Sequence, residues 1–155
     1  MTTVVERGRF VRLYCMRVPL VGNGAGTVGR MSAVALVLAG LAGLLHVYFF
    51  VLESVVFRTR GYRVFGVPKD DVETVAFSML NQGFYNLFLG LGVLVGVVGA
   101  WRGWTPQGGT LVVYGCLFMV GAALVLVVAR PAMARGAAIQ GVLPLLALVA
   151  AWLLH

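Results

Sequence analysis

Four apolar runs divide the chain: Ser32 to Phe57, Val75 to Ala100, Thr110 to Ala129 and Ala137 to Leu154. Each reaches the length of roughly 17–25 residues that a membrane-spanning helix requires. The stretches between them break the pattern with turn and anchor residues. RTRGYRVFGVPKDDVET is charged and contains Gly61, Gly66 and Pro68. WRGWTPQGG sets Trp101 and Trp104 ahead of a proline and two glycines, and RPAMARG is a short basic turn. Such residues belong where a chain leaves a bilayer. The pattern predicts an all-α protein, a four-helix transmembrane bundle over residues 31–155, with spans near 32–57, 75–100, 110–129 and 137–154.

Composition supports this reading. The chain is 61% hydrophobic and 11% charged, against about 25% charged residues in ordinary soluble domains. A soluble fold of 155 residues leaves too much surface exposed to hide that apolar content. The net charge of +7 does not indicate nucleic acid. The basic residues lie before and between the apolar runs, as membrane anchors do. Eleven arginines against the single Lys69, with many Ala, Gly and Val, suggest a GC-rich bacterial genome and hence a multi-pass protein of the bacterial plasma membrane. Cys15 and Cys116 have no CxxC spacing. Cys116 lies in an apolar run and is expected as a buried thiol, with no disulfide or metal role.

Residues 1–30 are different in kind: rich in Arg and Gly and barely periodic. They are expected to be a disordered tail or an extension from a wrongly chosen start codon, since Met31 opens a natural membrane-protein start, MSAVALVLAG. GAGTVG, Gly24 to Gly29, matches a dinucleotide fingerprint. That motif works between a strand and a helix, whereas here a membrane span follows, so no cofactor is expected. The first span is too long for a signal-peptide core.

The tail affects orientation. The loops 58–74 and 130–136 share one side and carry six basic residues, Arg58, Arg60, Arg63, Lys69, Arg130 and Arg135. The loop between them in sequence carries Arg102 alone. From a start at Met31, the positive-inside rule places those two loops in the cytoplasm. With the five tail arginines added, the count is six against six. Small residues suggest helix contacts: Gly92 and Gly96 form a GxxxG with Gly99 one turn on, and Ala35, Ala39 and Gly43 form a ladder on the first span.

Polar residues inside the spans are the candidate chemistry. LLHVYFFVLESVVF carries His46 and Glu53, on one helix face and about 10 Å apart along the axis. They cannot touch each other, so each needs partners from another helix. NQGFYN in the second span supplies Asn81, Gln82, Tyr85 and Asn86, and the fourth span supplies Gln140. Pro144 frees the carbonyl of Gln140 as a further acceptor. With Phe57 level with Val75 in an antiparallel pair, His46 is level with Asn86, and Glu53 with Met79, a turn from Ser78, Asn81 and Gln82. The polar groups thus gather in the half of the bundle beside loops 58–74 and 130–136, as a pocket lining would. The plainer alternatives are an interfacial Glu53 paired with Arg58 or Arg60, and a structural His46 bonded to Asn86. One His and one Glu are too few ligands for a metal site, and no Ser or Cys has a base beside it. A carboxyl and an imidazole do suit proton transfer, so His46 and Glu53 are the candidates should any catalysis occur.

A His near the middle of the first span, a Glu near its end, NQGFYN in the second and QG in the fourth resemble a family of small bacterial membrane proteins, domain of unknown function 1304. The resemblance covers about residues 31 to 154. It implies a four-helix membrane bundle and no established activity. Small multidrug-resistance exporters are similar in architecture alone, with four spans and an embedded Glu in the first. Three functions are therefore carried forward. The first is a pocket between spans 1, 2 and 4 that binds a small amphipathic or lipid-like molecule. The second is a proton-coupled transporter using Glu53, its path formed by a homo-oligomer. The third is an accessory or structural subunit without a ligand.

Overall fold

The computed structural model describes residues 31–154, all helix and turn. The expectations for residues 1–30, including the GAGTVG motif and Cys15, lie outside the described residues. Helix α1 (Ala33–Phe50) continues through two π-helical turns, Val51–Val55 and Phe57–Gly61, into a single turn at Tyr62–Val64. A 3₁₀ turn at Lys69–Asp71 leads into α2 (Val72–Trp101). Helix α3 (Thr105–Ala129) follows, then a 3₁₀ turn at Pro131–Met133 and α4 (Ala134–Leu153). The four segments Ala33–Val55, Lys69–Trp101, Pro106–Ala129 and Pro131–Leu153 are long and apolar enough to cross a membrane.

Local chemistry explains the ends. The Ser32 hydroxyl accepts from the Ala35 amide at 3.2 Å and caps α1. Asp70, Asp71 and Glu73 cluster at the start of α2, where the helix dipole favours negative charge. The loop expected between α2 and α3 is shorter than its composition suggests. TPQGG belongs to α3, because a proline is tolerated in a first turn. Arg102, Gly103 and Trp104 make the whole connection, with Gly103 at φ 92°. Trp101 and Trp104 stay exposed beside it, as interfacial anchors do.

The helices pack in chain order, and α4 closes against α1. Their common centre is small: Ala39 and Ala42 from α1, Val93 from α2, Val112, Cys116 and Met119 from α3, and Ala147 from α4. Cys116 is buried and free. Outside this centre the surface is apolar too. Between 22% and 33% of each span's most apolar window is buried, and side chains such as Phe77 and Val128 stand almost fully exposed. An outward surface of that kind complements lipid rather than water.

Small residues set the spacing, though not all those expected. Ala35 and Ala39 are completely buried, and α1 crosses α2 at Gly43 and Gly90. A Cβ on Gly90 would stand 2.7 Å from the Gly43 carbonyl oxygen, and one on Gly43 would stand 3.1 Å from that of Gly90. Gly96 faces α3, against Leu111 and Gly108. Gly92 meets nothing within 4 Å, so the GxxxG pair does not act as a pair. The reason is angular: four residues at about 100° each leave positions 92 and 96 some 40° apart, and the groove admits only one of them.

This contrast yields a prediction. Gly90→Leu should destabilise the bundle by about 1–3 kcal/mol through overpacking, while Gly92→Leu should change stability by less than about 0.5 kcal/mol. Denaturation in a mild detergent, followed by circular dichroism, measures both.

Candidate functional site

The site is built where α1 loses its regular hydrogen bonding. The Val56 amide donates to the Val51 carbonyl at 2.9 Å, and the Gly61 amide to the Val56 carbonyl at 2.9 Å. Each spans five residues, and such widened turns are frequent at functional positions. Val56 itself leaves helical geometry, at φ −111° and ψ 15°. Glu53 lies inside the first of these turns and is 3% exposed.

Two side-chain amides of α2 hold its carboxylate. Gln82 Nε2 donates to Oε1 at 3.0 Å, and Asn86 Nδ2 donates to Oε2 at 2.7 Å. The two donors are four residues apart and share a helix face. Gly83 lies between them and lets the helices approach. A Cβ there would stand 3.1 Å from Glu53 Cβ and would collide with Ser54 Oγ. Ser54 in turn donates to the Leu80 carbonyl at 3.1 Å. Ser54 and Gly83 therefore hold α1 against α2 beside the carboxylate, roles that the sequence reading did not assign. The signal was present, since Ser54 follows Glu53 and the glycine stands inside NQG.

Glu53 does not reach for the arginines. Arg58 instead grips Glu73 through Nε at 2.9 Å and Nη2 at 3.2 Å. Both side chains are exposed, 63% and 73%. The Glu73 hydrogen bond, with its charge, raises the Arg58 pKa above the ordinary arginine value. An exposed pair of this kind adds little stability.

His46 is buried but separate. Its Nδ1 and the Ala42 carbonyl oxygen are 2.9 Å apart, a hydrogen bond within its own helix. With the proton on Nδ1, Nε2 keeps its lone pair. The ring meets Phe49 edge-on at 5.5 Å, and its Cβ packs at the level of Gly90. The expected register, which set His46 opposite Asn86, is thus displaced. Asn86 belongs to Glu53. Asn81 and Tyr85 stand on the exposed side of α2, with Tyr85 66% exposed. Gln140 is half-buried on α4 and does not join the carboxylate. Among the seven expected residues, the structure bonds Glu53, Gln82 and Asn86 together.

At the far end, α1 and α2 leave an apolar hollow of about 260 Å³ lined by Met31, Ala33, Leu36, Val37, Ala100 and Trp101. The two ends of the α1–α2 pair therefore differ in kind, with amides and a carboxylate at one and hydrocarbon at the other.

The carboxylate–amide geometry can be tested as a network. Asn86→Leu should cost about 1–3 kcal/mol, because it removes a buried donor from Glu53. Adding Glu53→Leu should recover at least half of that loss, since both partners are then apolar. A double-mutant cycle from denaturant titrations would read the coupling.

No curated protein and no solved structure matches this chain. A family model does, over residues 40–152, from within α1 to near the end of α4. The chain belongs to the family described as protein of unknown function (DUF1304).

Proposed function

We propose that this protein binds the polar end of a small amphipathic or lipid-like molecule at Glu53, between α1 and α2. The observation that carries the reading is the setting of that carboxylate. Glu53 is 3% exposed in an apolar bundle, and it is held by two oriented amides rather than left to reach water. A carboxylate has roughly four acceptor positions, and the two amides use one on each oxygen. Intramembrane ionisable residues that face a bundle's interior commonly mark substrate or ion sites.

The flank of the site supports an amphipathic ligand. Phe50 and Phe84 stack edge-on at 5.1 Å, and Phe84 leads to Phe88 at 6.0 Å. Asn81 and Tyr85 stand exposed on the same helix. The phenylalanine rings lie across the α1–α2 seam from Gln82, and the tail of a group held at Glu53 would run over the apolar, lipid-facing surface of the bundle. In this reading Gln82 and Asn86 orient the carboxylate, His46 borders the deeper apolar part, and Gln140 lines the α4 side. The site would lie in a bacterial plasma membrane, with loops 58–74 and 130–136 in the cytoplasm. Counted from Met31, six basic residues against Arg102 support that orientation.

Native mass spectrometry should find a discrete extra mass on the wild type. A His46→Ala, Glu53→Gln double variant with unchanged circular dichroism should lose it. No extra mass on either protein across several lipid compositions would overturn the binding reading and leave transport or a structural role. For orientation, with expression from Met31, a C-terminal alkaline phosphatase fusion should be active and a fluorescent-protein fusion dark. The reverse pattern would place loops 58–74 and 130–136 outside.

A further inference from the structure

We infer that the polar end bound at Glu53 is cationic, so that the ligand is an amine-headed amphiphile. The inference rests on the binding reading above and gives the chemical class of its ligand.

The argument is one of charge. Glu53 receives two hydrogen bonds, and both donors are neutral amides. Neutral donors orient a carboxylate and satisfy part of it, but they bring no counter-charge. Among the described residues the one ion pair is Arg58–Glu73, in which each charge already has its counterpart. No Lys, Arg or His nitrogen of the described residues pairs with Glu53. His46 shares its helix face but spends Nδ1 on the Ala42 carbonyl.

A buried carboxylate without a counter-charge is costly, so a ligand that supplies the charge gains most at this position. An anionic head is repelled there. A neutral hydroxyl adds a hydrogen bond and no charge. A primary ammonium adds both, with three donors on a compact centre.

Three probes of equal chain length separate the possibilities: hexadecylamine, hexadecanol and hexadecanoate. Each is titrated into the protein in dodecyl maltoside, and bound adduct is measured by native mass spectrometry. The amine should bind about tenfold more tightly than the other two, the difference expected of one charge-assisted contact. Glu53→Gln should bring the amine down to the level of the alcohol, while Glu73→Gln should leave it unchanged. Equal binding of all three heads, lost in Glu53→Gln, would overturn the cationic class and keep a site at Glu53. An amine preference that survives Glu53→Gln would overturn the assignment to this carboxylate. No discrete adduct with any probe would overturn the binding reading itself. The comparison of heads on the wild type needs no variant, so misfolding of Glu53→Gln cannot mask the result.

Discussion

Glu53 accepts from Gln82 at 3.0 Å and from Asn86 at 2.7 Å inside an otherwise apolar helix pair, and much of the local structure follows from that arrangement. A carboxylate removed from water loses several kcal/mol of solvation unless its oxygens are met. Meeting both oxygens from one neighbouring helix requires donors on one face, which Gln82 and Asn86 supply at a four-residue interval. It also requires the backbones to come close. Gly83 permits that, since any larger residue would strike Ser54. The Ser54 hydroxyl then closes the contact on the Leu80 carbonyl. Three side-chain roles and one missing side chain therefore answer to a single buried carboxylate.

The glycine crossing two turns away sets the geometry on which this depends. Gly43 and Gly90 bring the two backbones together, and they fix how far α1 slides along α2. A slide of one turn would move the carboxylate about 5.4 Å along α2, beyond the reach of at least one amide. Packing at a place with no polar chemistry thereby determines hydrogen bonding at the place that has it. The alanines of the shared centre, Ala39, Ala42 and Ala147, act in the same sense, because lipid gives helices no hydrophobic reason to associate and close contact must supply it.

The sequence made the architecture legible because a bilayer imposes length. Four apolar runs and three polar breaks have few alternatives to a four-helix bundle. Boundaries were less legible. The pattern of TPQGG reads as a loop, yet Pro106 and two glycines form the first turn of α3. The π turns after Phe50 were not legible at all, since no residue type demands an extra residue per turn. In the site, the composition of NQGFYN pointed to the right helix but not to the right faces. Asn81 and Gln82 look equivalent in sequence and both are exposed, yet a rotation of about 100° brings Gln82 alone to Glu53. Register was the other hidden quantity. Levelling Phe57 with Val75 puts Gly43 level with residue 89, one residue from its observed partner Gly90, but levels alone do not show that Asn86 reaches Glu53 while His46 bonds within its own helix.

The irregular end of α1 bears on how anything would reach Glu53. The break at Val56 turns the chain inward, so that Phe57 packs with Val72 and Ala76 beneath Tyr62, Phe65 and Val67. This apolar cap is built from loop 58–74 itself and the first turns of α2. Gln82, by contrast, is exposed on α2 although its amide holds the carboxylate. Approach from the loop would require the cap to unpack, whereas approach along the flank requires only that Gln82 move aside. The second path crosses apolar, lipid-facing surface. A water-soluble solute gains nothing along it, while a molecule already dissolved in the bilayer does. The same constraint that shelters the charge from the aqueous side thus favours a ligand that arrives through the membrane.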